Sequence, residues 1–220
     1  MIEPAAVQHE QLPETLPIFP LGGVLLLPRS ELPLHIFEQR YRAMTRDALA
    51  GDGIIGMVQP VDAEAGGSHP PVYPTGCAGR ITACRKTDDG RFYFTLIGLC
   101  RFRIRDELPL RDGYRRVTAD FASYRGDLDE PPARDVVDRV RLLNILSPYC
   151  EKRGIAVNGD AIKTASDERL VATLSMLCPF EPNEKQALLE AGTLAERGRV
   201  IIALMEMTLL DQSAERHSRH

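Results

Sequence analysis

Lysine is almost missing from this sequence: of 27 basic residues, 23 are Arg and 4 are Lys. The arginines are scattered, so the bias reads as composition and not as assembled anion recognition. Positive charge is not in surplus either. The formal net charge is -4 and neither half forms a basic arm, which argues against general attraction to nucleic acid or an anionic membrane. Five cysteines, Cys77, Cys84, Cys100, Cys150 and Cys178, include no CxxC pair. Reduced, buried thiols in a cytoplasmic protein are therefore expected, not zinc ligands or disulfides. The longest apolar runs, GVLLLP and VIIALM, fall far short of the roughly 20 residues of a membrane span. MIEPAAVQHEQ lacks the positive and apolar segments of a signal peptide. GxxxxGK(S/T), GxSxG, HExxH and GxGxxG are all missing, and no lysine follows a glycine. The expectation is a non-catalytic chain without cofactor or metal.

What is present is 44% hydrophobic and 26% charged residues over 220 positions, enough apolar material for one generous core or two small ones. The first part reads as short buried strands. LPIFPL, GVLLLP and GIIGMVQP are apolar runs closed by Pro or Gly. Val61 to Pro74 is punctuated as a loop. CAGRITACRK and RFYFTLIGLCRFRIRDEL flank TDDG, a hairpin signal, and YRRVTADFASY supplies a last strand. One helix is inserted early, with Phe37, Tyr41, Met44 and Ala48 on one face and Arg40, Arg42 and Arg46 on the other. Close-spaced strands with one covering helix point to a small barrel.

SYRGDLDEPP is the expected linker. Beyond it the period becomes helical, with a stripe of Val136, Val140, Leu143 and Leu146 and a stop or kink at Pro148. Ser166 is the expected N-cap of SDERLVATLSMLCP, Pro182 opens the next helix, and Thr193 with Glu196 forms a capping box for the last. The fold class is α+β: a β-barrel over 12–122, then a four-helix bundle over 133–212, with flexible tails at 1–11 and 213–220.

Two stretches invite chemistry. His35 and Glu38, three apart, could meet on a helical turn as an acid-base pair. No nucleophile or metal ligand stands nearby, and the architectural reading is preferred: Glu38 in a first helical turn, His35 partly buried at a strand end. RFRIR alternates, with Arg101, Arg103 and Arg105 opposite Phe102 and Ile104. Together with Arg115 and Arg116 these could form a basic strip for RNA or an acidic peptide. The blander reading pairs them with Asp106, Glu107 and Asp120. A candidate binding surface is Arg101, Arg103, Arg105, His35 and Tyr73.

LPIFPLGGVLLLPRSELPLHIFEQRYRAM closely resembles the start of the N-terminal, substrate-recognition domain of Lon, the ATP-dependent protease. IGMVQP, GCAGRITACRKTDDGRFYFTLIGLCRFRI and EKQALLEAGTLAERGRVIIALM follow in the family's order. The resemblance covers roughly 12–210 and implies a PUA-like β-barrel followed by a helical bundle, a unit that engages unfolded or tagged substrates. It supplies no catalytic residue, because neither a phosphate loop nor a Ser/Lys protease centre is present. The chain looks like a stand-alone Lon-like protein. Its expected partners are unfolded or extended polypeptide segments, with a protease or chaperone as a further partner and self-association through the bundle as another option. Recognition would use strand addition at a sheet edge or a groove between barrel and bundle. RNA binding is the alternative, and a small-molecule pocket rests only on the type of barrel.

Overall fold

LPIFPL forms the buried strand that its apolar run predicts: in β1 (Thr15–Pro20), Leu16, Ile18 and Phe19 are buried. The computed structural model describes residues 12–62, 69–129, 136–156 and 159–217. The chain divides into two compact units, Met1–Glu130 and Pro131–His220.

In the first unit β1 is followed by β2 (Glu31–Ile36), α1 (Gln39–Ala50), β3 (Ile54–Val58), β4 (Thr75–Lys86), β5 (Phe92–Arg111) and β6 (Tyr114–Asp120). β1 runs parallel to β3 and antiparallel to β6, and the antiparallel pairs β3–β4, β4–β5 and β5–β6 close the ring. Within the ring, closure leaves no strand edge open; β4 runs on past β3 to Lys86, paired there only with β5 among the described residues. Every residue of β3 is buried, as a strand covered on both faces should be. Leu16, Ile18, Ile54, Val58, Cys100 and Phe102 are the centre of the core. β2 stands outside the ring, paired only with the first part of β5.

Several local expectations are corrected. GVLLLP is not a strand: Leu25, Leu26 and Leu27 are buried in irregular backbone. Gly98 permits this, because a Cβ there would lie 2.0 Å from the Leu27 carbonyl oxygen. Tyr41, Met44 and Ala48 of α1 are buried as expected, but Phe37 precedes the helix and is 58% exposed. Part of the expected linker is structured, since Ala122–Leu128 forms a 3-10 helix within the first unit. Residues 130–132 of that linker, 63–68 of the Val61–Pro74 loop, and the tail 1–11 lie outside the described residues.

The second unit holds α2 (Arg139–Arg153), α3 (Gly159–Thr164), α4 (Asp167–Leu177), α5 (Pro182–Glu190) and α6 (Leu194–His217). The described residues thus contain one short helix, α3, beyond the four expected. Helices α2, α4 and α5 all pack on α6. The stripe of α2 is not the one expected. Leu142, Leu146, Tyr149 and Cys150 are buried, whereas Val140 is 72% exposed. A tyrosine and a cysteine complete the inward face and hide it from a count of aliphatics. Pro148 does not end the helix, which runs on to Arg153.

The capping signals do form. Ser166 Oγ accepts from Arg169 N at 3.3 Å, and Thr193 and Glu196 exchange both capping-box bonds at 3.1 Å. α6 continues through His217, past the expected fraying at 213, and 218–220 lie outside the described residues.

Candidate functional site

β5 is 20 residues long and serves two structures. Its last part closes the ring with β6, while its first part lies between β2 and β4 in a three-stranded arm. Alternation along FYFTLI turns Phe92, Phe94 and Leu96 inward and leaves Tyr93, Thr95 and Ile97 on the outer face. Register then assembles that face in rows: Arg85, Tyr93 and His35; Thr82, Thr95 and Pro33; Arg80, Ile97 and Glu31.

The first row is chemically distinctive. His35 and Tyr93 stack with ring centroids 4.2 Å apart and planes 5° from parallel. Gly98 N donates to Ser30 O at 2.9 Å, so ladder alternation places His35 and Tyr93 at a non-hydrogen-bonded position, where side chains approach most closely. Arg85 lies over the other side of this pair, 5.2 Å from the Tyr93 ring centre. Phe37 extends the row, 5.6 Å from His35 at a 51° tilt. Tyr93 is 40% exposed, and among the described residues Arg85 has no carboxylate partner. The result is a cation–aromatic–aromatic ladder open to water, with apolar area and one available positive charge.

The same alternation turns the outward backbone groups of β2 away from β5 at Glu31, Pro33 and His35. Pro33 has no N–H to offer there, so the edge is blunted against strand addition. On the β2 side, the face of the arm is more open for contact than its edge.

The expected surface residues do not assemble as one patch. Arg101 does lie opposite Phe102, but the 3-10 helix covers it. Its Nε and Nη2 donate to Asp127 at 2.8 Å each, and its backbone N donates to the same carboxylate at 2.9 Å. Burial alone would lower the Arg101 pKa; the hydrogen bonds and charge of Asp127 reverse this and raise it. Arg103 is exposed, and Arg105 pairs with Asp120 at 3.3 Å. Arg115 is buried against Glu107 at 2.6 Å. Tyr73 is half-buried, with its N bonded to Gln59 O at 2.9 Å, before the end of β4 opposite Arg85.

His35 is exposed, not partly buried, because Leu34 and Ile36 take the inward positions of β2. It does not meet Glu38 in a hydrogen bond: Glu38 accepts from Arg40 Nε at 3.1 Å, and the imidazole is stacked on Tyr93. Tyr93, Arg85 and Phe37 escaped sequence reasoning. For Tyr93 the signal was available, since it is the outward residue between two inward phenylalanines. Cys84 is exposed, a departure from the expected buried thiols, and none of the five cysteines forms a disulfide.

Among the described residues no group of three His, Cys, Asp or Glu could hold a metal ion, and no helix is long and apolar enough to cross a membrane.

Residues 15–207 match the family model of the ATP-dependent protease La (LON) substrate-binding domain. The chain belongs to the Lon substrate-binding domain family. Among curated Lon relatives, Lon protease 2 of Myxococcus xanthus is 31% identical over 216 residues, covering 93% of this chain and 25% of that protein. Lon protease 2 of Thermus thermophilus is 26% identical over 201 residues, covering 90% and 25%. The chain therefore spans about a quarter of the length of the curated Lon proteases it matches. Solved structures that share its fold include two Lon N-terminal domains. One is a Lon N-terminal domain protein from Xanthomonas campestris, with a TM-score of 0.60, 21% identity, and coverage of 86% of this chain and 97% of that one. The other is the N-terminal domain of a Mycobacterium avium complex Lon protease, with a TM-score of 0.62, 17% identity, and coverage of 87% and 98%. The barrel and helices have the Lon N-terminal architecture that the sequence resemblance implies, and the family match is to the substrate-binding domain.

Proposed function

We propose that this chain is a non-catalytic module that binds unfolded or extended polypeptide segments in the cytoplasm, using the outer face of the β2–β5–β4 arm. Membership of a substrate-binding family supports the class of ligand. The observation that carries the choice of surface is the exposed row Arg85–Tyr93–His35–Phe37. Tyr and Arg are enriched among the residues that dominate binding energy at protein surfaces, and Tyr brings large contact area at low entropic cost. In this reading the rows take side chains of a passing chain, while Pro33 discourages permanent strand pairing, which suits transient engagement. An adaptor role beside a protease or chaperone belongs to the same proposal.

The test is binding of a carboxymethylated, permanently unfolded protein and of peptide arrays. Tyr93→Ala is expected to weaken binding about tenfold or more, with an unchanged melting temperature. Binding no greater than that of an unrelated acidic protein, or unaffected by Tyr93→Ala and His35→Ala, would overturn the proposal.

A further inference from the structure

The helical unit holds a feature of its own, an apolar cleft of about 330 Å³. Ile155, Ile162, Leu174 and Leu177 line it, and among the described residues Arg169 is the single charged side chain in its wall. Protein interiors ordinarily fill such space, and the volume falls at the low end of the roughly 300–1,000 Å³ of ligand pockets. Leu177 contributes a large aliphatic side chain that is 76% exposed. The walls are braced: Arg139 Nη1 donates to Asp167 Oδ1 at 2.8 Å, and its Nη2 donates to Ile162 O at 2.5 Å. These bonds tie α2 to both α3 and α4, so the hollow is a built part of the unit.

Charge decides what fits. Ser166 Oγ takes the backbone N–H of Arg169, but among the described residues the Arg169 guanidinium has no carboxylate partner. An aliphatic hollow with one available cation matches an apolar chain that ends in one anion. We infer that this cleft seats the carboxyl-terminal tail of a polypeptide, its aliphatic side chains inside and its terminal carboxylate on Arg169. Thr173, which also lines the cleft, supplies a hydroxyl beside that carboxylate. The inference rests on the reading of the chain as a polypeptide-binding module, and it adds a second site with a different selectivity. The arm takes internal segments, and the cleft reads chain ends.

The experiment uses the full chain and a fluorescein-labelled decapeptide ending in Ala-Leu-Ala, made as the free acid and as the C-terminal amide. Fluorescence anisotropy is expected to show the acid binding about tenfold or more tightly than the amide, the worth of a charge-assisted hydrogen bond. Arg169→Ala should bring the acid down to the level of the amide. Ala165→Phe, which fills the cleft, should weaken both. Tyr93→Ala on the arm should leave the acid-to-amide ratio intact while lowering capture of the unfolded protein, so failures of the two readings are separable. Equal binding of acid and amide, or a ratio unchanged by Arg169→Ala, overturns the inference. So does Arg169-dependent binding of laurate without binding of the peptide acid, or self-association that closes the cleft. Arg169 is exposed, and circular dichroism of its alanine variant checks that the unit remains folded.

Discussion

Arg101 and Asp127 show how one residue can be legible in type and hidden in role. Their side chains are only 6% and 10% exposed, and three donors of Arg101 converge on one carboxylate. Removing one partner of such a pair leaves a buried charge uncompensated. Asp127→Ala is therefore expected to cost about 3–5 kcal/mol in urea unfolding, whereas a joint replacement of both by apolar residues should cost much less. The alternation of RFRIR located Arg101 on the correct side of β5. What it could not disclose was a cover supplied by a turn 26 positions later. Tyr114 gives a pH-dependent counterpart. It is buried, and its hydroxyl donates to Asp47 Oδ2 at 2.7 Å; burial first, then that carboxylate, push its pKa up to about 12. The raised value means that the folded state holds the proton more tightly than the unfolded chain. The contribution to stability is complete below the unfolded value near 10 and is lost as pH rises towards 12. Tyr114→Phe should flatten part of this alkaline loss, followed by urea midpoints across that range and by tyrosinate absorbance.

At the scale of elements, strands and caps were more readable than faces. The runs LPIFPL, GIIGMV and RFYFTLIG became β1, β3 and the start of β5 because short apolar runs and Gly/Pro punctuation act locally. Ser166, Pro182, Thr193 and Glu196 signalled helix starts for the same reason: capping is satisfied within one turn. The misses are tertiary. Leu25, Leu26 and Leu27 looked like a strand, but their burial depends on Gly98, about seventy residues away. That dependence yields a test. Gly98→Ala drives a methyl into the Leu27 backbone and is expected to destabilise the fold by roughly 1–3 kcal/mol, read from denaturant midpoints. The candidate arm was likewise only half visible. Alternation alone could turn Tyr93 outward, but bringing His35 and Arg85 beside it required the registers of two separate pairings. The apolar cleft had no sequence signature, because the face of α4 reads as ordinary amphipathic core.

For the whole molecule, charge and topology set the terms. A net charge of -4, with Arg101 sequestered and Arg105 answered by Asp120, leaves no continuous basic strip on β5. Filter retention of single-stranded RNA is expected to stay at background, with no steep salt dependence. Strong salt-sensitive retention that disappears in an Arg103→Ala, Arg105→Ala double variant would restore RNA as a ligand. The ring itself has a consequence in time. Thr15 pairs with Thr118, so β1 meets its β6 neighbour only after about a hundred further residues, on the order of 5–20 s of synthesis at typical rates. β1 can pair on one side once β3 follows it, but its other side stays open through that interval, and loop-closure entropy slows the last join. A protein whose proposed work is to bind unfolded chains thus passes through its own synthesis with one side of β1 exposed, until β6 arrives.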